Sequence, residues 1–130
     1  MNVRDAVEAD ADRLAALTDS PTDVMRNLVH DRTVRVAEND DVVGFVSYDA
    51  GNSTVHVTQL EGDSDVCERL LEEPIRFASQ EGMAVELLAM ESDDSIRTAA
   101  ERTAFERYGP GPRFDGERTI RYRLEPASRS

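Results

Sequence analysis

Residues 54–71, TVHVTQLEGDSDVCERLL, contain the change of periodicity that decides the fold. From Thr54 to Leu60 apolar and polar residues alternate, which predicts a strand with Val55 and Val57 on one face and His56 on the other. After the glycine that follows, apolar residues recur at helical spacing instead. The stretch therefore predicts a strand that passes through a short acidic loop into a helix.

This helix is predicted from Asp65 to Gln80, with Gly82 as its stop signal, because glycine readily adopts the left-handed conformation that ends helices. Pro74 lies inside the predicted range. A proline in a helix interior removes a backbone hydrogen bond and costs about 3 kcal/mol. We therefore expect a kink between Leu70 and Pro74.

Upstream, the residue pattern predicts a strand, two helices and a hairpin. These elements are a strand over Asn2–Val7, a helix beginning near Asp10, a second helix opened by Ser20-Pro21-Thr22-Asp23 and ending near Asp31, and strands over Thr33–Glu38 and Val42–Tyr48. In the second helix Ser20 is expected to cap the helix, with Pro21 at its first position and Asp23 completing a capping box. Its predicted buried face consists of Val24, Met25, Leu28 and Val29.

Downstream, the pattern predicts a strand, a helix and a closing strand. They are Ala84–Met90, a helix capped by Asp94 or Ser95 that ends near Tyr108-Gly109-Pro110, and Arg118–Leu124. The whole order predicts one α+β domain over residues 1–124 with a mixed sheet. Residues 125–130 are expected to form a flexible C-terminal tail.

The charge of the chain is strongly acidic: 27 Asp and Glu residues face 15 basic residues, all of them arginine, for a net charge of −12. Lysine is normally a common residue, and adaptation to heat enriches it. Its absence beside an acidic excess favours a high-salt cytoplasm, where salt at about 1 M shortens the Debye length to about 3 Å and screens self-repulsion. Drift of lysine to arginine codons in a GC-rich genome is the alternative, although it leaves the acidic excess unexplained.

Several classes of protein are disfavoured by the sequence. Met1–Asp10 has no apolar stretch typical of a signal peptide, and the longest apolar segment is Val42–Val46, so we expect a cytoplasmic protein without a membrane partner. The arginines form no cluster along the chain, which argues against nucleic acid. Cys67 with His30 and His56 lacks zinc-ligand spacing, and the acidic pairs lack the pattern of a calcium loop, so no metal site is predicted.

The order of predicted elements resembles that of the GNAT family of acetyl-CoA-dependent N-acetyltransferases over nearly the whole chain. Three segments strengthen the resemblance: VRDAVEADAD at 3–12, VVGFV at 42–46 and FERYG at 105–109. It implies a central mixed, largely antiparallel sheet with helices on both faces, and acetyl-CoA bound between the fourth and fifth strands. By the same resemblance, the backbone of Val55, His56 and Val57 would hold the pantetheine arm and polarise the thioester carbonyl.

The family binds the diphosphate of the cofactor in the next loop, with the motif Arg or Gln, two residues, Gly, one residue, and Gly or Ala. The resemblance places Gly62 at the first position, and Asp65 and Cys67 at the two glycine positions. The cofactor-binding residues that it implies here are Asp63, Ser64, Asp65, Val66, Cys67 and Glu68. Side chains block the close approach of phosphates, so binding of acetyl-CoA is expected to be weak. Asp65 and Glu68 also have the spacing of a capping box, and a capped surface helix with an acidic loop is the alternative interpretation.

Two residues are candidates for proton transfer. His56 suits a general base because its ordinary pKa is about 6.5, and the alternative is a half-buried strand histidine. The family often protonates the departing thiolate with a tyrosine near the end of the last helix, where this chain has Phe105. Tyr108, one turn later, is the candidate replacement, and a packed surface aromatic is its alternative. Cys67 is interpreted as a core residue because its neighbours are acidic.

Two functions stay open at this point. The first is an N-acetyltransferase that transfers the acetyl group of acetyl-CoA to a primary amine by direct attack, with weak or lost activity. The second is a catalytically inactive module of the same fold that binds a partner or regulates one. The expected partner is a small-molecule or protein amine, with no nucleic acid and no membrane, and a homodimer is left open.

Overall fold

The computed structural model describes residues 1–114 and 116–126, which form one seven-stranded sheet with helices on both faces. In chain order the elements are β1 (Asn2–Asp5), a 3-10 turn (Glu8–Asp10), α1 (Ala11–Thr18), α2 (Thr22–Asp31), β2 (Thr33–Asn39), β3 (Asp41–Gly51), β4 (Thr54–Glu61), α3 (Ser64–Glu81), β5 (Ala84–Met90), α4 (Asp94–Arg102), β6 (Glu106–Pro110) and β7 (Thr119–Leu124). Of the predicted tail, residues 127–130 lie outside the described range.

The strand order is β1-β2-β3-β4-β5-β7-β6. Only β4 and β5 pair in parallel, and the other neighbouring strands are antiparallel. The predicted mixed, largely antiparallel sheet is thus confirmed. Because β4 and β5 are parallel, both α3 and α4 begin at the same edge of the sheet, where the two strands end.

The two helical layers cover the sheet unequally. α1 and α2 pack on one face of β2 and β3, around Leu14 and Phe45, while α3 and α4 pack on the other face around Leu70 and Tyr122. No described helix covers β4, β5, β7 and β6 on the face opposite α3. Nor is any helix in the described part of the chain both long and apolar enough to cross a membrane.

Residues with a positive φ form two turns and one helix end. Asp40 connects β2 to β3 with a φ of 67°, and Asn52 and Ser53 connect β3 to β4 with φ values of 52° and 63°. α3 ends at Gly82, whose φ is 67°. The same helix continues through the buried Pro74 without interruption.

The start of α2 differs from the prediction. Pro21, not Ser20, occupies the cap position, with an extended backbone (φ −62°, ψ 144°) and no side-chain cap. The Ser20 hydroxyl instead contacts the Thr18 carbonyl at 3.5 Å. Val24, predicted to be buried, is exposed because the buried side of α2 is centred on Met25.

The end of α4 also differs from the prediction. Asp93, one residue earlier than expected, caps the helix by accepting a hydrogen bond from Ile96 N at 3.2 Å. The helix ends at Arg102, and Ala104 then adopts a left-handed φ of 67° that turns the chain into β6. Tyr108-Gly109-Pro110 therefore lies in an edge strand and not at a helix end. β6 forms by pairing with β7, a distant contact that the local residue pattern does not reveal.

Candidate functional site

The central feature of the site is an opening between β4 and β5. The two strands pair only as far as Val57 opposite Leu87. β4 then continues to Glu61 and β5 to Met90 without further pairing to each other. Paired strands lie about 4.8 Å apart, and strands that no longer pair lie farther from each other. Beyond this point the facing backbone edges of β4 and β5 therefore border a gap.

A β-bulge explains why the strands separate at this position. Ser47 pairs with Gln59 and Tyr48 pairs with Val57, which leaves Thr58 as an extra residue in β4. The Thr58 hydroxyl donates to the Ser47 carbonyl at 3.1 Å and lies 2.8 Å from the Ser47 Oγ, which fixes the bulge. A bulge bends its strand and increases the local twist. The bend therefore coincides with the loss of pairing to β5.

The bulge moves the candidate binding segment along the strand. Val55 and His56 both pair with β5, so their backbone lies in the closed part of the sheet. Val57 is the last paired residue, and the segment that borders the opening is residues 58–61. Val55, His56 and Val57 were predicted to contact a pantetheine arm, and the structure places them at the closed base of the opening.

The first turn of α3 is capped by a carboxylate of the protein itself. Asp63 Oδ1 accepts a hydrogen bond of 2.9 Å from the backbone N–H of Val66. Asp65, predicted as the cap, lies two residues later, inside the first turn, with a side chain that is 87% exposed. The unpaired N–H groups of a helix N-terminus are a favourable position for an anion. Here Asp63 occupies one of those donors and adds a negative charge beside Ser64 and the other donors.

Arg102 partly offsets this negative charge. Its Nη1 lies 3.4 Å from Asp65 Oδ1 and 3.8 Å from Glu68 Oε2, so the end of α4 reaches the start of α3. All three side chains are exposed, and exposed ion pairs of this kind contribute little to stability. An anion at this turn would therefore meet one cation and several carboxylates.

Two glycines allow the loop to pack closely against the sheet. A Cβ atom on Gly44 would lie 2.4 Å from the Glu61 carbonyl oxygen and 2.6 Å from Val66 Cγ1. A Cβ atom on Gly62 would lie 2.7 Å from the same Val66 Cγ1, and Gly62 has a φ of +138°. The glycine in the VVGFV segment therefore has a packing role beneath the loop. Position 62 does not accommodate the arginine or glutamine of the family motif.

Negative charges at the end of β4 disfavour further ionisation there. Burial raises the pKa of Glu61, and the charge of Asp93 raises it further. Burial also raises the pKa of Cys67 to about 12, with added contributions from Asp93, Glu61 and Asp63. The Cys67 thiol is fully buried and donates to the Gly62 carbonyl at 3.3 Å. Cys67 is thus a core residue, as interpreted from the sequence, and its side chain does not border the opening.

The uncovered face of the sheet carries a pocket of about 710 Å³. His56 and Glu86 stand directly opposite each other on its floor, and Phe114 forms part of its rim. Glu86 Oε2 lies 3.1 Å from Arg123 Nη1. Because Val57 also lines this pocket, the pocket meets the β4–β5 opening at the point where strand pairing ends.

The two candidate proton-transfer residues are not brought together. His56 is exposed in the pocket beside the opening, whereas Tyr108 lies on the edge strand β6, 61% exposed, with its ring centroid 5.9 Å from Arg123 Cζ. β7 separates β6 from β5, so two strand spacings of about 4.8 Å each lie between Tyr108 and the opening. Phe105 is buried in the core with α3 and α4. Tyr108 therefore does not border the opening between β4 and β5.

Some lining residues of the pocket were not singled out from the sequence. They include Glu86, Leu88, Met90, Phe114, Thr119 and Arg121. The segment TIRYRL at 119–124 alternates polar and apolar residues, which signals a strand with one solvent-facing side. Within residues 1–114 and 116–126, no three His, Cys, Asp or Glu side chains are grouped so as to hold a metal ion.

Solved acetyltransferases share this fold. Ribosomal-protein-alanine N-acetyltransferase from Brucella melitensis has a TM-score of 0.80 at 17% identity, covering 96% of this chain and 99% of its own. A protein from Desulfovibrio desulfuricans assigned to the GNAT acetyltransferases has a TM-score of 0.74 at 20% identity, with 95% and 98% covered. The protein yncA from Salmonella typhimurium, assigned as an acetyltransferase and solved with its cofactor acetyl-CoA, has a TM-score of 0.79 at 15% identity, with 100% and 96% covered. Neither a protein-family model nor a curated protein matches the chain by sequence. The chain thus has the GNAT fold.

Proposed function

We propose that this chain binds acetyl-CoA in the opening between β4 and β5 and transfers the acetyl group to a primary amine. The observation that carries the proposal is the early end of β4–β5 pairing at Val57, which leaves an opening beside a pocket of about 710 Å³. The structural neighbour yncA was solved with acetyl-CoA, which supports the choice of cofactor.

The opening and the loop fit this cofactor unequally. The backbone of residues 58–61 borders the opening and can offer N–H and carbonyl groups to the amide groups of a pantetheine arm. The start of α3 fits a diphosphate less well, because Asp63 caps the helix and Asp65 stands beside it. We therefore expect a dissociation constant of about 10 µM or weaker.

In the proposed reaction, bound acetyl-CoA supplies the activated acetyl group. His56 lies at the closed base of the opening and lines the pocket of about 710 Å³, which we name the acceptor pocket. There it accepts the amine proton directly or through a water molecule. Glu86 stands opposite His56, and its carboxylate is paired with Arg123 Nη1 at 3.1 Å, so it adds little net charge to the pocket. A new C–N bond replaces the C–S bond, and with Tyr108 on the edge strand the departing thiolate takes its proton from solvent.

A second function is favoured by the same loop and by the aromatic residues. The Asp63 cap, the buried Phe105 and the distant Tyr108 all depart from what the resemblance implies for an active enzyme. A module of this fold without catalysis would bind its partner through the acceptor pocket and release no CoA.

Calorimetric titration of acetyl-CoA in about 2 M KCl, followed by hydrogen exchange, tests the first function. Binding should slow exchange of the amides at residues 58–61, because these border the opening. A thiol-release assay with a polyamine, an aminoglycoside and a peptide with a free N-terminus then tests transfer. Binding without thiol release from any amine supports the second function, and absence of binding at millimolar acetyl-CoA contradicts the first.

A further inference from the structure

Four arginine side chains line one pocket away from the opening. Arg97 from α4, Arg107 from β6, Arg113 from the β6–β7 loop and Arg118 before β7 surround a volume of about 660 Å³, which we name the arginine pocket. Among the described residues that line this pocket, one is acidic, Glu91. These residues include none from β4 or α3, and the arginine pocket shares Thr119 with the pocket of about 710 Å³ that holds His56.

The surrounding sequence is unlike the rest of the chain in charge. Between residues 97 and 123 there are seven of the 15 arginines but four of the 27 acidic residues. The cluster is assembled from distant parts of this segment, so the sequence-based statement that the arginines form no cluster is wrong for the folded chain. A concentrated positive site on an acidic protein attracts anions locally.

The donors of this pocket are incompletely used. Arg97 Nη1 donates to the Glu91 carbonyl at 2.9 Å and lies 3.6 Å from Asp94 Oδ1, but Arg97 Nε is buried without a hydrogen-bond partner in the described part of the chain. Arg107 and Arg118 have no carboxylate within 4 Å among residues 1–114 and 116–126. A buried charged donor without an acceptor is costly. An anion would supply the missing acceptors.

The two residues that precede Arg113 are held in place before any ligand binds. Gly111 N donates to the Thr119 carbonyl at 3.1 Å, and the Thr119 hydroxyl donates to the Pro112 carbonyl. A Cβ atom on Gly111 would lie 2.5 Å from Thr119 Oγ1 and 2.7 Å from Leu88 Cδ2, so the loop packs tightly on the sheet. Prolines on both sides of Gly111 restrict the backbone further. Such preorganisation lowers the entropy lost on binding.

We propose that the arginine pocket binds an anion with two or more linked phosphate groups, either inorganic diphosphate or the diphosphate of a nucleotide. The planar guanidinium group binds phosphate oxygens in pairs, which suits phosphate better than a monovalent ion. Even with Glu91 in the lining and Asp94 beside Arg97, four guanidinium groups offer more donors than one phosphate group needs. The volume lies in the range of about 300–1,000 Å³ typical of ligand pockets.

The test is calorimetric titration of inorganic diphosphate in about 1 M KCl. We expect a dissociation constant of about 100 µM or tighter for the wild type, and at least a tenfold loss in the double variant Arg107→Gln/Arg118→Gln. The matched control Arg69→Gln/Arg76→Gln removes two exposed arginines of α3 and should bind as the wild type does. Circular dichroism confirms that each variant is folded.

No binding to the wild type at millimolar diphosphate, or equal losses in both double variants, would overturn the proposal. Titration of ADP separates the two sources of the anion. Tighter binding of ADP than of diphosphate indicates a nucleotide, and equal binding indicates the free anion. ADP binding that persists fully in Arg107→Gln/Arg118→Gln belongs to the β4–β5 opening and contradicts the arginine pocket.

Discussion

Asp63 Oδ1 lies 2.9 Å from the backbone nitrogen of Val66, so the first turn of α3 already carries an anionic acceptor. A diphosphate placed at the same turn would compete with this carboxylate and be repelled by it. In the proposed function, this contact links helix stability to the affinity for acetyl-CoA through one side chain. Because the cap needs only a side-chain oxygen, asparagine at position 63 would remove the negative charge and keep the cap.

The double variant Asp63→Asn/Asp65→Asn should bind acetyl-CoA at least threefold more tightly. Asparagine caps helices as well as aspartate does, and one unit charge at about 4 Å contributes about 1 kcal/mol in water. Calorimetry in about 1 M KCl measures the change. Asp12→Asn/Asp31→Asn, with the same net charge, is the control, and an equal gain there would show that only overall charge matters.

Replacement of Glu61 by glutamine should stabilise the protein at neutral pH. Burial beside Asp93 raises the pKa of Glu61 in the folded state, so the stabilising contribution of this residue is complete below the unfolded pKa and is lost as pH rises through the folded pKa. Thermal melts in about 2 M KCl should show Glu61→Gln melting a few degrees higher than wild type at pH 7.

The same comparison at pH 4 should show little difference between the two proteins, because the folded state then holds Glu61 protonated. Glu72→Gln, at an exposed position of α3, serves as control and should leave both melting temperatures nearly unchanged. A lower melting temperature for Glu61→Gln at pH 7 would mean that the ionised carboxylate has a stabilising partner.

If the chain transfers acetyl groups, His56→Gln should reduce kcat about 100-fold, with a smaller effect on the KM for acetyl-CoA. His56 lies in the acceptor pocket, whereas Tyr108 lies on the edge strand. Tyr108→Phe should therefore stay within about twofold of wild type. Thiol-release kinetics with one amine acceptor provide both constants, and a large loss in Tyr108→Phe would require a different position for the acyl group.

The folded state should become more stable as KCl rises from about 0.1 M to several molar. The 27 acidic residues exceed the 15 arginines, and salt at about 1 M reduces the Debye length to about 3 Å, which screens their repulsion. The melting temperature followed by far-UV circular dichroism should rise by at least about 5 °C. An unchanged melting temperature would contradict adaptation to high salt.

Much of the fold could be predicted because its elements have clear local signals. The glycine end of α3 at Gly82 follows from a residue type that tolerates positive φ, and Asn52 in the turn before β4 is another such type. The edge strand β6 was missed because its residues include Gly109 and Pro110, and its pairing with β7 is a distant contact. A local pattern cannot show which distant segment a strand will join.

The candidate site was predicted less well for the same reason. His56 was identified on the correct strand, but the start of the opening depends on the bulge at Thr58, which Ser47 on the neighbouring strand holds in place. Asp63, Ser64 and Asp65 could each cap α3, and the structure has Asp63 as the cap, directly after Gly62 with its positive φ. The four arginines of the arginine pocket lie up to 21 positions apart, from Arg97 to Arg118.

The buried thiol of Cys67 can report motion of the first turn of α3, which lies beside the opening. It is the single cysteine, fully buried and hydrogen-bonded to the Gly62 carbonyl. A thiol reagent reaches it only when the first turn of α3 separates from the end of β4. The rate of modification therefore measures how often this separation occurs, without an introduced label. A ligand that holds this turn against the sheet slows the modification as its occupancy rises, whereas one bound in the arginine pocket, whose lining includes no residue of α3, should slow it less.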